Sequence, residues 1–81
     1  MVVSVQFCGV QRAIIRVNEI QFSLSGGSRV SDLFKQIKRS YPDLPLSKDD
    51  ITVSINDQMS NMNHTLSPND KVTFLPHIGG G

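Results

Sequence analysis

Residues 28–43 read SRVSDLFKQIKRSYPD, and in this stretch the apolar residues take the spacing of one helical face. They recur at i, i+3, i+4 and i+7: Val30, Leu33, Phe34 and Ile37. Ser28 is a suitable N-cap, because a serine hydroxyl can accept a hydrogen bond from the first turn. Pro42 disfavours helical geometry at Tyr41 and so ends the helix. The stretch predicts one amphipathic helix with a single face to bury.

Apolar and polar residues alternate on both sides of this helix, with the period of half-buried strands. Two alternating runs precede the helix, at residues 3–7 and 19–24, and favour a hairpin. Runs at 51–55 and 71–75 follow it, and a very short strand is predicted at 58–59.

The order of these elements predicts the layers of the fold. A single helix with one apolar stripe can cover one face of one sheet, which gives a two-layer α+β domain. We expect a mixed sheet of four to five strands packed on one main helix, with the first and last strands side by side at the sheet centre. The turn before the last strand, Ser67-Pro68-Asn69-Asp70, fits a type I turn with proline at its second position.

Composition and charge limit the functional classes. A chain of 81 residues, 38% hydrophobic and 19% charged, suits one soluble globular domain. Its net charge of +1 and its scattered basic residues do not predict a nucleic-acid-binding surface. The single cysteine, Cys8, can form neither an internal disulfide nor a cysteine-rich metal site. The apolar residues 1–10 lack the features of a signal peptide or membrane span, so we expect a cytoplasmic protein without membrane partners.

The last residues, 77–81, read HIGGG and are unsuited to packing, because glycine has no side chain to bury. We therefore divide the chain into a folded domain at 1–76 and a flexible glycine tail at 77–81. A final strand at the sheet centre would project this tail into solvent. The tail is either a frayed end or the functional part of the molecule.

The last third of the chain carries a specific pattern. ITVSINDQM at 51–59 and LSPNDKVTFLPHIGGG at 66–81 combine a strand, an asparagine-containing turn, an aspartate before the last strand and a proline-bearing glycine tail. This pattern resembles the MoaD/ThiS family of ubiquitin-like sulfur carriers, which implies the β-grasp fold. His77 replaces the second proline of the usual family tail, and a third glycine is present. Two alternatives stay open: Gly81 ends the native chain, or trimming of a precursor produces the terminal glycine.

The resemblance implies a carrier that is not an enzyme and binds no cofactor or metal. The carboxylate of Gly81 would be adenylated with ATP by a partner similar to ubiquitin-activating enzymes, while Gly79 and Gly80 thread its active site. A persulfide sulfur donor would then produce a thiocarboxylate. A sulfur-accepting synthase subunit would use it in making the molybdenum or tungsten cofactor, thiamine or a related compound. ATP and zinc would belong to the adenylating partner.

The candidate docking residues are Leu75, Ile78, Met59 and Arg12. The first three are expected near the tail, and Arg12 could pair with an acidic partner, although an ordinary solvated charge is the commoner interpretation. Leu75 falls on the strand face opposite the core positions, and exposed methionine suits an adaptable contact surface. Met62 could share this role, although filling the edge of the core is at least as good an interpretation for either methionine alone. Cys8 with His64 or His77 is a poor candidate for catalysis, since nothing in the sequence orients such a pair.

Two other functions stay open from the residues alone. One is a ubiquitin-like modifier joined to lysines of other proteins through Gly81, which needs the same activated tail. The other is a β-grasp interaction module without tail chemistry, whose function would survive deletion of Gly80 and Gly81. An iron–sulfur protein is disfavoured, because such clusters are held by several cysteines.

Overall fold

The computed structural model of the protein describes residues 1–7, 19–43 and 51–76. These residues form five strands and one helix. The elements in chain order are β1 (Val2–Phe7), β2 (Glu19–Ser23), α1 (Val30–Ser40), β3 (Ile51–Ile55), β4 (Gln58–Ser60) and β5 (Lys71–Pro76). Each element falls where the periodicity predicts it, and the short β4 brings the strand number to five.

The five strands form one mixed sheet in the order β2-β1-β5-β3-β4. β1 pairs with β5 in parallel, and all the other neighbours are antiparallel. The predicted hairpin of the first two strands and the adjacency of the first and last strands are both confirmed. The last described strand, β5, is therefore the middle strand of the sheet, with a neighbour on each side.

The core lies between α1 and one face of the sheet. Alternate residues of the strands point toward the helix, and the predicted apolar stripe of α1 covers them. The fully buried side chains on both layers are Val3, Val5, Val30, Leu33, Ile37, Val72 and Phe74. Phe34 is only half-buried, and its ring meets the ring of Phe74 edge-on at a centroid distance of 6.1 Å. We call the opposite side of the sheet, which faces away from α1, the outer face.

The start of α1 differs from the prediction by one residue. Arg29, not Ser28, is the N-cap, and its extended backbone N–H donates to the Asp32 carboxylate at 2.8 Å. The next two backbone N–H groups, of Val30 and Ser31, donate to loop carbonyls of residues 62–64 at 3.0 Å. The first turn is thus satisfied by a tertiary contact, which makes a serine cap unnecessary.

The end of α1 agrees with the prediction. The helix stops at Ser40, and the backbone N–H of Tyr41 donates to the carbonyl of Ile37 at 2.8 Å. Pro42 follows at once, where its ring prevents another helical turn. Lys38 and Arg39 occupy the last turn, where cations complement the helix dipole.

Two turns position the strands at one end of the sheet. Asn56 and Asp57 join β3 to β4 and both have positive φ, at 51° and 69°, as a two-residue type I′ hairpin requires. The turn at 67–70 is closed by a hydrogen bond from Asp70 N–H to Ser67 carbonyl, and Asn69 has φ 68°. A positive φ at the third position belongs to type II, so the predicted type I turn is wrong. Asparagine tolerates this conformation, which explains the difference.

Candidate functional site

The central structural feature of the candidate site is the end of β5. β1 pairs with β5 up to Phe74, while β3 pairs with it through Leu75 and Pro76. The pairing of Ile51 with Pro76 extends the sheet to the last described residue of the chain. The glycine-rich residues 77–81 therefore follow directly from a strand that is held in place.

Leu75 lies on the outer face, half-buried and opposite Thr52 of β3. The alternation along β5 explains this position, because Val72 and Phe74 point to the core. The sequence-based placement of Leu75 outside the core is thus confirmed, while its docking role stays a prediction.

Met59 shares the outer face with Leu75. It is 73% exposed and pairs with Ser54 of β3, which in turn pairs with Thr73 of β5. Two strand spacings and an offset of two residues separate Met59 from Leu75, which is roughly 12 Å between their Cα atoms. The two predicted docking residues are therefore close enough together for one small protein contact to cover both.

The structure separates the two methionines that sequence reasoning treated together. Met62 is half-buried and packs against the hydrophobic core, so for this residue the core-filling interpretation is correct. His64 is exposed in the same loop. Among residues 1–7, 19–43 and 51–76, no group of three or more histidine, cysteine or acidic side chains is placed to hold a metal ion.

The other predicted site residues lie outside the described residues: Arg12, Ile78, Gly79, Gly80 and Gly81. Cys8 and His77 lie outside them as well. Their roles stay predictions.

A hydrogen-bond network around the buried Asp70 fixes the opposite end of β5, and sequence reasoning missed it. Asp70 is 8% exposed, and its carboxylate accepts hydrogen bonds from the Asn56 amide at 3.0 Å and from Ser67 N–H at 2.8 Å. The Asn56 amide oxygen accepts from Lys71 N–H at 3.0 Å. The signal was present in the asparagine of the hairpin and the aspartate before β5, but nothing in one sequence pairs residues so far apart.

The same turn also ties β1 into the centre of the sheet. The backbone N–H of Ser4 donates to the carbonyl of Asp70 at 2.9 Å, and that of Asn69 donates to the carbonyl of Val2 at 2.8 Å. β5 is thus fixed at its start by the Asn56–Asp70 network and at its end by the pairing with β3. This arrangement holds β5 in the sheet up to the last described residue, Pro76.

A family model described as the ThiS family matches residues 5–81. The chain belongs to the ThiS family. This membership confirms the resemblance carried by residues 51–59 and 66–81. A comparison with curated proteins found no significant relative for this ThiS-family chain.

Solved structures share the fold of this ThiS-family protein. SAMP1, small archaeal modifier protein 1 of Haloferax volcanii, matches with a TM-score of 0.82 and 16% identity over 100% of both chains. A protein described as molybdopterin converting factor subunit 1, from Pyrococcus furiosus, matches with a TM-score of 0.82 and 24% identity over 95% of this chain and 98% of that one. A chain in the complex of subunits 1 and 2 of molybdopterin-converting factor from Helicobacter pylori matches with a TM-score of 0.68 and 22% identity over 100% of both.

These similarities, with five strands on one helix, establish the ubiquitin-like β-grasp fold for this ThiS-family chain. In the part of the chain that the structure describes, α1 is too short and too polar to cross a membrane.

Proposed function

We propose that this ThiS-family chain is a sulfur carrier whose Gly81 carboxylate is adenylated by a partner enzyme and converted to a thiocarboxylate. The observation that carries the proposal is the position of β5. The middle strand of the sheet is paired up to Pro76, and a segment that ends in three glycines follows it. A folded domain followed by a segment whose last three residues lack side chains suits delivery of a reactive end to other proteins.

The length of the tail limits where a partner can dock. Residues 77–81 span at most about 17 Å when fully extended. A partner's active site must therefore come within that distance of Pro76. Leu75 lies on the outer face directly before Pro76. The Cα atoms of Met59 and Leu75 are roughly 12 Å apart. We assign docking to this part of the outer face, with Ile78 and Arg12 as further candidate contacts.

The glycines suit the active site that the proposal requires. Gly79 and Gly80 lack a Cβ atom, so they can pass through a channel too narrow for a side chain and adopt any backbone conformation. Ordering them costs conformational entropy on binding. Contacts of the folded domain with the partner offset that cost, which is why a carrier needs both a tail and a docking surface.

The chemistry takes place in the partner's active site. A carboxylate oxygen of Gly81 attacks the α-phosphorus of ATP, and pyrophosphate leaves. The terminal sulfur of a persulfide donor then attacks the acyl carbon and expels AMP, which forms an acyl disulfide. A thiol cleaves the sulfur–sulfur bond and releases the thiocarboxylate, while the donor and the thiol end as a disulfide.

The proposal assigns the catalytic parts to other proteins. ATP and zinc would be held by an adenylating enzyme similar to ubiquitin-activating enzymes, and the chain itself would be substrate and carrier. A synthase subunit would accept the sulfur in making the molybdenum or tungsten cofactor, thiamine or a related compound. The fold match to a chain of the complex of subunits 1 and 2 of molybdopterin-converting factor supports a partner subunit of this kind.

Pyrophosphate exchange tests the first step. The chain is incubated with an adenylating enzyme, ATP and labelled pyrophosphate, and label returning to ATP reports reversible adenylation. We expect exchange with the full chain and none with a chain that lacks Gly80 and Gly81. Equal exchange with both chains would contradict the proposal. An amide NMR spectrum that matches the full chain through residues 19–43 and 51–76 shows that the shortened chain is folded.

A second candidate function is protein modification through the same activated Gly81. The match to small archaeal modifier protein 1 over the whole length of both chains favours it. The two functions differ in the acceptor, which is a lysine amine for a modifier and a sulfur atom for a carrier. Incubation with cell extract and ATP separates them, since new high-mass lysine conjugates support modification and thiocarboxylate without conjugates supports carriage.

A further inference from the structure

A surface groove lies between α1 and the loop that follows β4, on the helix side of the sheet. It has a volume of about 380 Å³ and is lined by Ser31, Phe34, Lys35, Met62 and Asn63. This volume lies within the range of sites that bind small ligands or single side chains of a partner. We call it the α1 groove. Leu75 and Met59 lie on the outer face, so the α1 groove is separate from the docking surface proposed above.

The walls of the α1 groove are apolar and fixed in position. Phe34 is half-buried and rests edge-on against Phe74, so core packing fixes its ring at the groove wall. Met62 forms the other wall, half-buried and packed against the hydrophobic core. Phe34 and Met62 therefore give the groove two apolar walls.

Backbone hydrogen bonds hold the two walls together. Ser31 N–H donates to the carbonyl of Met62, and Val30 N–H donates to the carbonyl of His64, both at 3.0 Å. Leu66 N–H donates to the carbonyl of Ser28 at 2.8 Å. The loop and the first turn of α1 therefore form one unit, and a preformed groove costs little ordering free energy on binding.

The charge around the groove selects the kind of ligand. Lys35 is the charged residue among those that line it, and its side chain is exposed. Arg29 is exposed at the start of the same helix. Asp32, the exposed acidic residue of the first turn, does not line the groove, and Arg29, Asp32 and Lys35 together carry a net charge of +1. Lys35, the charged side chain at the groove itself, therefore complements a carboxylate.

We propose that the α1 groove binds a segment of a partner protein that carries a large apolar side chain beside a carboxylate. The apolar side chain lies between Phe34 and Met62, and the carboxylate pairs with Lys35. This site lies on the side of the sheet opposite the outer face. A protein bound here leaves the docking surface of the tail free, so the chain can contact two proteins at once.

The test uses the full chain and the blocked peptide acetyl-Asp-Phe-Leu-Glu-amide. NMR follows the Met62 methyl group and the amides of Ser31, Lys35 and Asn63. We expect saturable shifts at these positions in the millimolar range. The uncharged peptide acetyl-Asn-Phe-Leu-Gln-amide and the variant Lys35→Glu should each weaken binding about fivefold. Arg39→Glu, an equal charge change on an exposed residue outside the groove, should leave binding within about twofold.

Other results would overturn the proposal. Absence of saturable shifts, shifts confined to the outer face, or equal binding of both peptides would each do so. Shifts at the groove that grow with protein concentration alone would assign it to a second copy of the chain. If the chain binds phosphatidylcholine–phosphatidylserine vesicles but not the peptide, and Lys35→Glu removes that binding, the α1 groove would be assigned to contact with a membrane surface. Deletion of Gly80 and Gly81 should leave peptide binding unchanged, because the groove lies outside the tail, and the test is therefore independent of tail chemistry.

Discussion

Asn56 and Asp70 lock two turns together at the start of the central strand. The Asn56 amide donates to the Asp70 carboxylate at 3.0 Å and accepts from the backbone of Lys71 at the same distance. The second carboxylate oxygen accepts from the N–H of Ser67. The hairpin between β3 and β4 and the type II turn before β5 are therefore held as one unit.

This network predicts a charge-swap result. Asn56→Asp removes the donor and places two carboxylates in contact, so we expect a loss of about 2–4 kcal/mol in unfolding free energy. Asp70→Asn in the same chain restores a donor toward residue 56 and keeps an acceptor for Ser67. Urea unfolding should place the double variant within about 1 kcal/mol of the parent. If the free-energy losses of Asn56→Asp and Asp70→Asn, each measured alone, simply add in the double variant, the two side chains are not paired as described.

The hydrogen bond between Arg29 N–H and the Asp32 carboxylate predicts which substitution in the first turn of α1 destabilises the helix. Asp32→Ala removes the acceptor for the Arg29 N–H and a favourable charge at the helix start, so we expect a loss of about 1 kcal/mol. Ser28→Ala is the matched control, because loop carbonyls already satisfy the first turn, and it should cost less than half as much. Thermal unfolding of both variants measures the difference. A larger loss of stability for Ser28→Ala than for Asp32→Ala would show that Ser28 is the N-cap, as the sequence predicts.

The aromatic contact between Phe34 and Phe74 predicts a specific stability loss. Phe34→Leu keeps an apolar side chain but removes the edge-on pair, which costs about 0.5–1.5 kcal/mol beyond the lost area. Phe22→Leu, at a buried position on β2, is the control for a change from phenylalanine to leucine. Double-variant analysis with Phe74→Leu isolates the pair. A coupling energy near zero would show that the ring contact contributes nothing beyond burial.

The outer face predicts where the adenylating partner docks. Met59→Gln and Leu75→Gln remove apolar contact area near the end of β5, so each should weaken binding about tenfold. Val2→Gln is the matched control, since Val2 is 42% exposed on the same face but lies at the start of β1. That position is near the other end of β5, because β1 and β5 are parallel. Calorimetry measures how tightly each of the three variants binds the adenylating enzyme. Equal losses of affinity in all three would argue against a localised docking surface.

Local periodicity was sufficient to predict the elements of this fold. The stripe from Val30 to Ile37 and the alternation in β1, β3 and β5 set both the element types and the buried faces. One helix covering one sheet predicted the two layers, and the dense apolar alternation of the first and last strands predicted that they lie side by side at the sheet centre. These features depend on residues close together in the chain, which is why a single sequence carries them.

The features that sequence reasoning missed depend on contacts between distant residues. The loop carbonyls of Met62 and His64 move the helix cap from Ser28 to Arg29. Asn56 and Asp70 are joined only after the sheet brings two turns together. The α1 groove likewise exists because packing leaves Phe34 and Met62 half-buried at the walls of one groove, which no spacing in the sequence indicates.

The measurement that tests the sulfur-carrier proposal most directly is the intact mass of the chain after incubation with its adenylating partner, ATP and a persulfide donor. We expect the mass gain of one oxygen replaced by sulfur, localised by fragmentation to Gly81. The chain that lacks Gly80 and Gly81 serves as the control and should keep its mass. A full chain that retains its plain carboxylate mass, with a partner shown to be active, would contradict the account.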